Sequence, residues 1–222
     1  MIHAIVFDMD GVLFDTERMT AEIWKQVCSE NHLTDVTRYA RDYAGLNAIQ
    51  IKKYFAEKFG ADFPYDSFMH TVRERAAQKV EREGVPMKPG LIELLSYLKS
   101  NRYKIAAATS TSRATVMKYF DNAKITPYFD KIICGDMVEK SKPDPDIYLK
   151  AANALGVRPA DCIGVEDSHN GVLSAFRAGM RTVMIPDTME PTLQIRGMLF
   201  ACVPTLSAII PLLEEYSKNS LK

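Results

Sequence analysis

The chain has 222 residues, of which 47% are hydrophobic and 25% are charged, a balance typical of ordinary globular proteins. Its 28 Lys and Arg residues equal its 28 Asp and Glu residues in number, and zero net charge argues against a chain-wide basic surface for nucleic acid. No apolar run approaches the roughly 18 residues of a membrane span, and the first residues lack a signal-peptide pattern. We therefore expect a cytoplasmic protein with neither nucleic-acid nor membrane partners.

Five short apolar segments are predicted to be buried β-strands, because each is rich in small or β-branched residues and ends at a polar residue or Gly. They are Ile2–Phe7, Lys104–Ala108, Lys131–Cys134, Cys162–Val165 and Thr182–Ile185. The four cysteines are far apart in the sequence and form no C-x-x-C pair. We interpret them as free thiols of a reducing compartment.

Between these strands the apolar period becomes helical. One helix is predicted after Pro89-Gly90, a second in the segment that follows Asp144, and a third from Ser168. Their predicted buried residues are Leu91, Leu94, Leu95 and Leu98; Ile147, Ala151 and Ala154; and Val172, Ala175 and Phe176. Strands that alternate with helices predict an α/β fold with a doubly wound parallel sheet.

The interval between the first two strands breaks this alternation. Roughly residues 16–87 contain no convincing strand and read as three or four amphipathic helices. An insertion of this length is too long for a crossover helix and predicts a small helical bundle. We expect an α/β catalytic core formed by residues 1–15 and 88–222, with residues 16–87 as a helical cap domain.

Charged and hydroxyl side chains follow the predicted strands at their carboxyl ends. They are Asp8 and Asp10 after the first strand, Thr109 and Ser110 after the second, Lys142 after the third, and Glu166 and Asp167 after the fourth. In an open parallel sheet, ligands bind beyond this edge. Clustered carboxylates repel one another, and a hard divalent cation, Mg²⁺, relieves the repulsion. Hydroxyls, backbone N–H groups and a lysine suit a phosphate group, so the pattern indicates phosphoryl transfer.

At this level of detail the sequence resembles the haloacid dehalogenase superfamily of aspartyl-phosphate enzymes. DMDG at 8–11, TS at 109–110, SKPDP at 141–145 and EDS at 166–168 are similar to its four motifs, in the family order and spacing. The insertion after the first motif resembles the helical cap of that family, and the resemblance extends over essentially the whole chain. The branch it most resembles contains β-phosphoglucomutase and small sugar-phosphate phosphatases.

The resemblance implies a role for each acidic residue of the motifs. Asp8 would attack phosphorus and become an aspartyl phosphate, and Asp10 would protonate the leaving oxygen and then deprotonate water. Mg²⁺ would be held by the Asp8 carboxylate, the backbone carbonyl of Asp10 and Asp167. Glu166 would lie close to the metal, and whether it contacts the metal directly stays open.

The resemblance also implies a phosphate-binding set. Thr109, the backbone N–H of Ser110, and Lys142 would hold the oxygens of the transferring phosphoryl group, and Lys142 would also offset carboxylate charge. The substrate would be a small phosphorylated metabolite, with a sugar phosphate favoured. Phe14 and the 43–50 loop are hypothetical specificity contacts, and the default oligomeric state is a monomer.

Three alternatives to a phosphatase follow from the same motifs. A dehalogenase is disfavoured because position 10 is Asp rather than Tyr. A β-phosphoglucomutase-type mutase is less favoured because Thr20 stands where that branch has His, and Asn47 and Ala48 stand where an Arg is expected. A phosphoaspartyl signalling module is also less favoured, since Asp10 and the large cap promote turnover of the phosphorylated state.

Overall fold

The computed structural model of the protein describes residues 1–39 and 48–219. The chain divides into two compact units. One consists of Met1–Asp15 together with Met87–Lys222, and the other consists of Thr16–Pro86. We call them the α/β unit and the helical unit.

The α/β unit is built on a six-stranded sheet in which every neighbouring pair is parallel. The strands are β1 (Ala4–Phe7), β2 (Lys104–Ala108), β3 (Lys131–Ile133), β4 (Cys162–Glu166), β5 (Arg181–Met184) and β6 (Leu199–Cys202), in the order β3-β2-β1-β4-β5-β6. The predicted parallel α/β fold is therefore confirmed. All four residues of β1 are buried, as expected for a central strand covered on both faces.

Five of the six strands lie where the sequence predicts them, and β6 was missed. Its residues are half-buried or exposed rather than fully buried, so it lacks the continuous apolar signal of an inner strand. It is an edge strand, and its pairing with β5 contains a register shift between Thr182 and Val183.

The described residues contain nine α-helices, which we number in chain order. They are α1 (Thr16–Glu30), α2 (Ala48–Phe59), α3 (Tyr65–Glu83), α4 (Leu91–Ser100), α5 (Arg113–Asn122), α6 (Asp146–Leu155), α7 (His169–Arg177), α8 (Leu193–Arg196) and α9 (Ile209–Asn219). Short 3₁₀ turns occupy Val36–Tyr39, Thr126–Tyr128, Gly135–Met137, Pro159–Asp161 and Leu206–Ala208. No helix among these described residues is long and apolar enough to cross a membrane.

The predicted helix faces are mostly confirmed. All four leucines of α4 are buried, as are Ile147, Ala151, Val172 and Ala175. Two residues were assigned wrongly: Ala154 is exposed, and Phe176 is 46% exposed. Each lies one residue before the end of its helix, and the buried positions there are Leu155 in place of Ala154, and Ala175 and Ala178 on either side of Phe176.

An aromatic cluster forms the core of the helical unit. The ring of Trp24 on α1 packs edge-to-face against Phe55 of α2 and Phe68 of α3, with centroid separations of 5.9 and 5.6 Å. Phe55 is fully buried, and Phe68 and Trp24 are nearly so. Edge-to-face aromatic pairs of this kind contribute about 0.5–1.5 kcal/mol each beyond area burial. The three helices thus share one apolar interior.

Polar contacts within the α/β unit join the two chain segments that border the helical unit. Phe14 forms an isolated antiparallel bridge with Met87, and the N–H of Lys88 donates to the carbonyl oxygen of Leu13 at 2.9 Å. The Lys88 ammonium lies 2.7 Å from Asp187 Oδ1 in the loop after β5. The chain segment at Met87–Lys88 is therefore bonded both to the segment at Leu13–Phe14 and to the loop at the carboxyl edge of the sheet.

All four cysteines are free thiols. Cys28, Cys134 and Cys162 are buried, and Cys202 is exposed. Burial raises the pKa of the Cys162 thiol to about 11 and also raises the pKa of Cys28 and of Cys134. The three buried thiols are therefore held in the unreactive protonated form at neutral pH.

Phe120 of α5 offers a direct test of the α/β core. It is fully buried, and its ring contacts Phe14 and Phe129 with centroids 6.0 and 4.8 Å away. We expect Phe120→Ala to lower the free energy of unfolding by about 3–5 kcal/mol, because it leaves a cavity. The matched Phe176→Ala change should cost less than about 1 kcal/mol, since this residue is 46% exposed. Urea titrations followed by circular dichroism measure both values, and equal losses would contradict this description of the core.

Candidate active site

The predicted site residues of the strand ends come together at the carboxyl edge of the sheet. In the ladder, Phe7 of β1 lies opposite Ala107 of β2 and Val165 of β4. The next residue along each strand is therefore at the same level, which places Asp8 between Ala108 and Glu166. Parallel pairing in this register is what brings residues more than 150 positions apart into one site.

Lys142 reaches this edge from the loop after β3 and uses all three of its ammonium donors there. Its Nζ lies 2.5 Å from Asp8 Oδ1, 2.7 Å from Glu166 Oε1 and 3.0 Å from the carbonyl oxygen of Ala108. The side chain is only 9% exposed. One lysine thus links the ends of the three central strands β1, β2 and β4.

The charges of this group shift the pKa values of its members. Burial disfavours the ammonium of Lys142, but the carboxylates of Asp8 and Glu166 outweigh this effect and raise the pKa of the lysine above its ordinary value. Burial raises the pKa of Asp8 to about 8, with Lys142 opposing the shift and Glu166 and Asp10 adding to it. Lys142 therefore stays charged, while Asp8 retains its proton to a higher pH than an exposed aspartate does.

Glu166 at the end of β4 is fully buried, and both of its carboxylate oxygens accept hydrogen bonds. Oε1 accepts from Lys142 and from the hydroxyl of Tyr148, each at 2.7 Å. Oε2 accepts from the N–H of Asp167 and from the hydroxyl of Ser168, each at 3.3 Å. Gly171 makes room for the carboxylate, because a Cβ built there would lie 1.9 Å from Glu166 Cδ. Four hydrogen bonds therefore fix the carboxylate of Glu166.

The three carboxylates predicted to surround a metal are brought together. One carboxylate oxygen of Asp8, one of Glu166 and one of Asp167 lie within 4.8 Å of one another, and all three residues are buried. Gly11 has a left-handed φ of 80°, and a Cβ at this position would lie 2.1 Å from Asp167 Oδ2. Only glycine lets the first loop pass so close to this carboxylate. A hard cation with oxygen ligands fits this donor set.

Asp10 lies in the loop after β1 and is half-buried. The hydroxyl of Thr111 donates to Asp10 Oδ2 at 2.7 Å. The loop is closed locally by a hydrogen bond of 2.9 Å from the N–H of Gly11 to the carbonyl oxygen of Phe14. The second predicted catalytic carboxylate is therefore fixed by a side chain from the loop that follows β2.

Thr109 and Ser110 follow β2 at the same edge. Thr109 is buried, and its Oγ1 accepts a hydrogen bond from the N–H of Thr111 at 3.1 Å, whereas Ser110 is exposed. Neither residue caps a helix, because the N-cap of α5 is Ser112. The two residues thus form a turn between the strand end and the helix.

Two residues of the site were missed or undervalued by sequence reasoning. Tyr148 was not singled out, although a tyrosine on a buried helix face needs a hydrogen-bond partner for its hydroxyl. Thr111, the residue that follows Ser110, was given no role. Phe14, a hypothetical specificity contact, is fully buried against Tyr119 and Phe120. The 43–50 loop lies outside the described residues, except for the backbone of its last three.

Removing the buried cation should destabilise the protein, because Lys142→Ala leaves the buried carboxylate of Glu166 without its counter-charge and Asp8 without its hydrogen-bond donor. We expect a loss of about 3–5 kcal/mol in the free energy of unfolding at neutral pH in EDTA. The loss should shrink at acidic pH, where a buried carboxylate without a counter-charge is neutralised by a proton. Lys140→Ala is the matched control. Its ammonium lies 3.8 Å from Asp144 on a side chain that is 72% exposed, so its loss should stay below about 0.5 kcal/mol. Urea titrations at two pH values measure both variants, and a Lys142→Ala protein as stable as wild type would refute the buried-charge description.

Comparisons with known proteins agree with this geometry. The family model of haloacid dehalogenase-like hydrolases matches residues 5–185. The phosphorylated carbohydrates phosphatase of Thermotoga maritima is 32% identical over 182 residues, which cover 82% of this chain and 84% of the relative. The beta-phosphoglucomutase of Bacillus subtilis is 30% identical over 189 residues, 82% of each chain. The crystal structure of CbbY from Rhodobacter sphaeroides in complex with phosphate matches with a TM-score of 0.76 at 26% identity, over 93% of this chain and 96% of that one. The chain therefore belongs to the haloacid dehalogenase-like hydrolase family and is an enzyme that acts on phosphate esters.

Proposed function

We propose that the protein is a Mg²⁺-dependent phosphatase that hydrolyses a small phosphorylated metabolite, a sugar phosphate, through an aspartyl-phosphate intermediate. The observation that carries the proposal is the contact of 2.5 Å between the buried Lys142 ammonium and Asp8 Oδ1. This contact places a positive charge beside the proposed nucleophile. The charge reduces the repulsion between the negatively charged phosphoryl group and the carboxylate of Asp8. The relative from Thermotoga maritima, described as a phosphorylated carbohydrates phosphatase, supports the choice of substrate class.

The first chemical step transfers the phosphoryl group to the enzyme. A carboxylate oxygen of Asp8 attacks phosphorus, a new P–O bond forms, and the bond from phosphorus to the alcohol oxygen of the substrate breaks. Asp10 gives its proton to that departing oxygen, so that an alcohol and not an alkoxide leaves. The hydrogen bond from Thr111 to Asp10 Oδ2 fixes the position of this carboxyl group.

The second step restores the free enzyme. Asp10, now a carboxylate, takes a proton from a water molecule whose oxygen attacks the phosphorus of the aspartyl phosphate. The bond between phosphorus and the Asp8 oxygen breaks, and inorganic phosphate leaves. Thr109, the N–H of Ser110 and Lys142 hold the non-bridging oxygens through both steps, which stabilises the charge that develops on them.

The donor set described above fits a Mg²⁺ ion. Asp8, Asp167 and the backbone carbonyl of Asp10 would hold it, with Glu166 close by. When bound, such a cation neutralises carboxylate charge and orients a phosphoryl oxygen. Because the four hydrogen bonds to Glu166 already occupy both of its oxygens, we assign this residue first to Lys142 and only second to the metal.

The helical unit is proposed to act as the cap that selects the substrate. The phosphoryl-transfer residues all belong to the α/β unit, so the alcohol part of the substrate has to be recognised by other residues. A mutase is the less favoured activity, because Thr20 stands where the β-phosphoglucomutase branch has a histidine. The expected arginine of the cap loop falls at Asn47 and Ala48. Asn47 lies outside the described residues, and of Ala48 only the backbone is described.

The proposal predicts phosphate release in the presence of Mg²⁺. We expect wild-type protein to hydrolyse p-nitrophenyl phosphate and members of a sugar-phosphate panel, and EDTA to abolish the activity. Asp8→Asn should lower kcat by about 10³-fold or more, because it removes the nucleophile. Asp121→Asn, the same change at an exposed position of α5, should leave kcat unchanged. No phosphate release by wild type from the whole panel would overturn the proposal. If β-glucose 1-phosphate yielded glucose 6-phosphate instead of free phosphate, the enzyme would be a mutase.

The pKa of Asp8 predicts how Mg²⁺ affects stability at different pH values. Without metal, the folded protein keeps a proton on Asp8 up to a pH of about 8, whereas in the unfolded chain this proton is lost near the ordinary aspartate pKa of 3.8. Stability of the metal-free protein should therefore fall as pH rises through this window. The cation competes with that proton, so the increase in melting temperature caused by Mg²⁺ should be larger at pH 8.5 than at pH 6.

Differential scanning fluorimetry with about 10 mM MgCl₂ or EDTA measures this effect. Asp8→Asn has no carboxylate to titrate at that position, so its response to Mg²⁺ should be smaller and flatter with pH. An equal Mg²⁺ response of wild type at both pH values would show that proton and metal do not compete at Asp8.

A further inference from the structure

Tyr148 contacts both members of the buried ion pair that the proposed mechanism relies on. Its hydroxyl donates to Glu166 Oε1 at 2.7 Å, the same oxygen that accepts from Lys142. The Lys142 ammonium also lies 5.1 Å from the centroid of the Tyr148 ring, within the range of a cation–π contact. Tyr148 is the only residue among those described for which both a hydrogen bond to Glu166 and a ring contact with Lys142 are observed.

Tyr148 is shielded from solvent, so water cannot replace Glu166 as the hydrogen-bond partner of its hydroxyl. The side chain is fully buried in a cluster of apolar residues from the central strands and from α6 and α7, among them Val6, Ala106, Ala151 and Ala175. A buried hydroxyl without a partner costs about 1–3 kcal/mol, so the bond to Glu166 is retained. A carboxylate only accepts hydrogen bonds, which makes the tyrosine the donor.

Lys142 has three N–H donors and three partners, and this count limits how it can bind a phosphoryl oxygen. The bonds to Glu166 and to the Ala108 carbonyl run to fixed groups of the sheet. The bond to Asp8 is the one that can be exchanged for an oxygen of the arriving phosphoryl group. If Lys142 moved toward Glu166, this third donor would no longer reach the site of attack.

We propose that Tyr148 is a positioning residue which, through Glu166, holds Lys142 at Asp8 and at the incoming phosphoryl group. By sharing Glu166 Oε1, the hydroxyl fixes the carboxylate and takes up part of its charge, so the ammonium is not drawn fully onto Glu166. The proposal rests on the proposed function, because it assigns Lys142 to phosphate binding. Tyr148 itself is assigned no contact with substrate or metal.

The two parts of the tyrosine can be separated by substitution. Tyr148→Phe removes the hydroxyl and keeps the ring, whereas Tyr148→Leu removes both. We expect Tyr148→Phe to weaken the binding of inorganic phosphate, and to raise KM for a sugar phosphate, by about fivefold, the effect of about one hydrogen bond. Tyr148→Leu should weaken both further, and kcat should change less than KM. Tyr128→Phe is the matched control, since its hydroxyl lies 3.4 Å from Ser96 Oγ, on the exposed side of a turn.

Isothermal titration calorimetry of inorganic phosphate in the presence of MgCl₂ measures binding without turnover, and steady-state assays give KM and kcat. A merely structural role would lower the melting temperature of Tyr148→Phe and leave its phosphate affinity and KM at wild-type values, which would overturn the proposal. Wild-type protein that bound phosphate but hydrolysed no ester would overturn the proposed function and leave the positioning role to be decided by the affinities of the variants. Wild-type protein that neither bound phosphate nor hydrolysed an ester would overturn both.

Discussion

A lysine ammonium enclosed among carboxylates is the interaction on which the site depends. Lys142 is nearly buried, and its charge is balanced by Asp8 on one side and Glu166 on the other. A buried charge is tolerated only when it is paired and hydrogen-bonded, and here every donor of the ammonium has a partner. The same arrangement serves the proposed chemistry, because a charge that cannot be hydrated or displaced is already in place when a phosphoryl group arrives.

The sheet supplies the precision that this group of charges requires. Asp8, Ala108 and Glu166 stand at the same level because β1, β2 and β4 are paired in register, and a one-residue slip of any strand would turn its side chain to the opposite face. Glycines complete the fit, since Gly11 and Gly171 lie where a Cβ would collide with the carboxylates of Asp167 and Glu166. The strands thus set the position of each functional group, and the loops only close around them.

Two hydroxyls support the two acidic parts of the site in a similar way. Thr111 donates to Asp10, and Tyr148 donates to Glu166. In both cases a neutral donor fixes a carboxylate through a hydrogen bond of 2.7 Å. All four residues of these two contacts belong to the α/β unit, to which we assign the proposed phosphoryl transfer.

The sequence by itself determined the fold class, the positions of five strands and the family, because buried parallel strands are short apolar runs and the motif residues follow them directly. It also placed Asp8, Lys142 and Asp167 at one edge. Only the tertiary structure revealed that Tyr148 and Lys142 share one oxygen of Glu166, since that contact depends on the docking of α6 against the sheet and leaves no periodic signal. The edge strand β6 and the exposure of Phe176 were likewise decided by packing, which local sequence patterns do not encode.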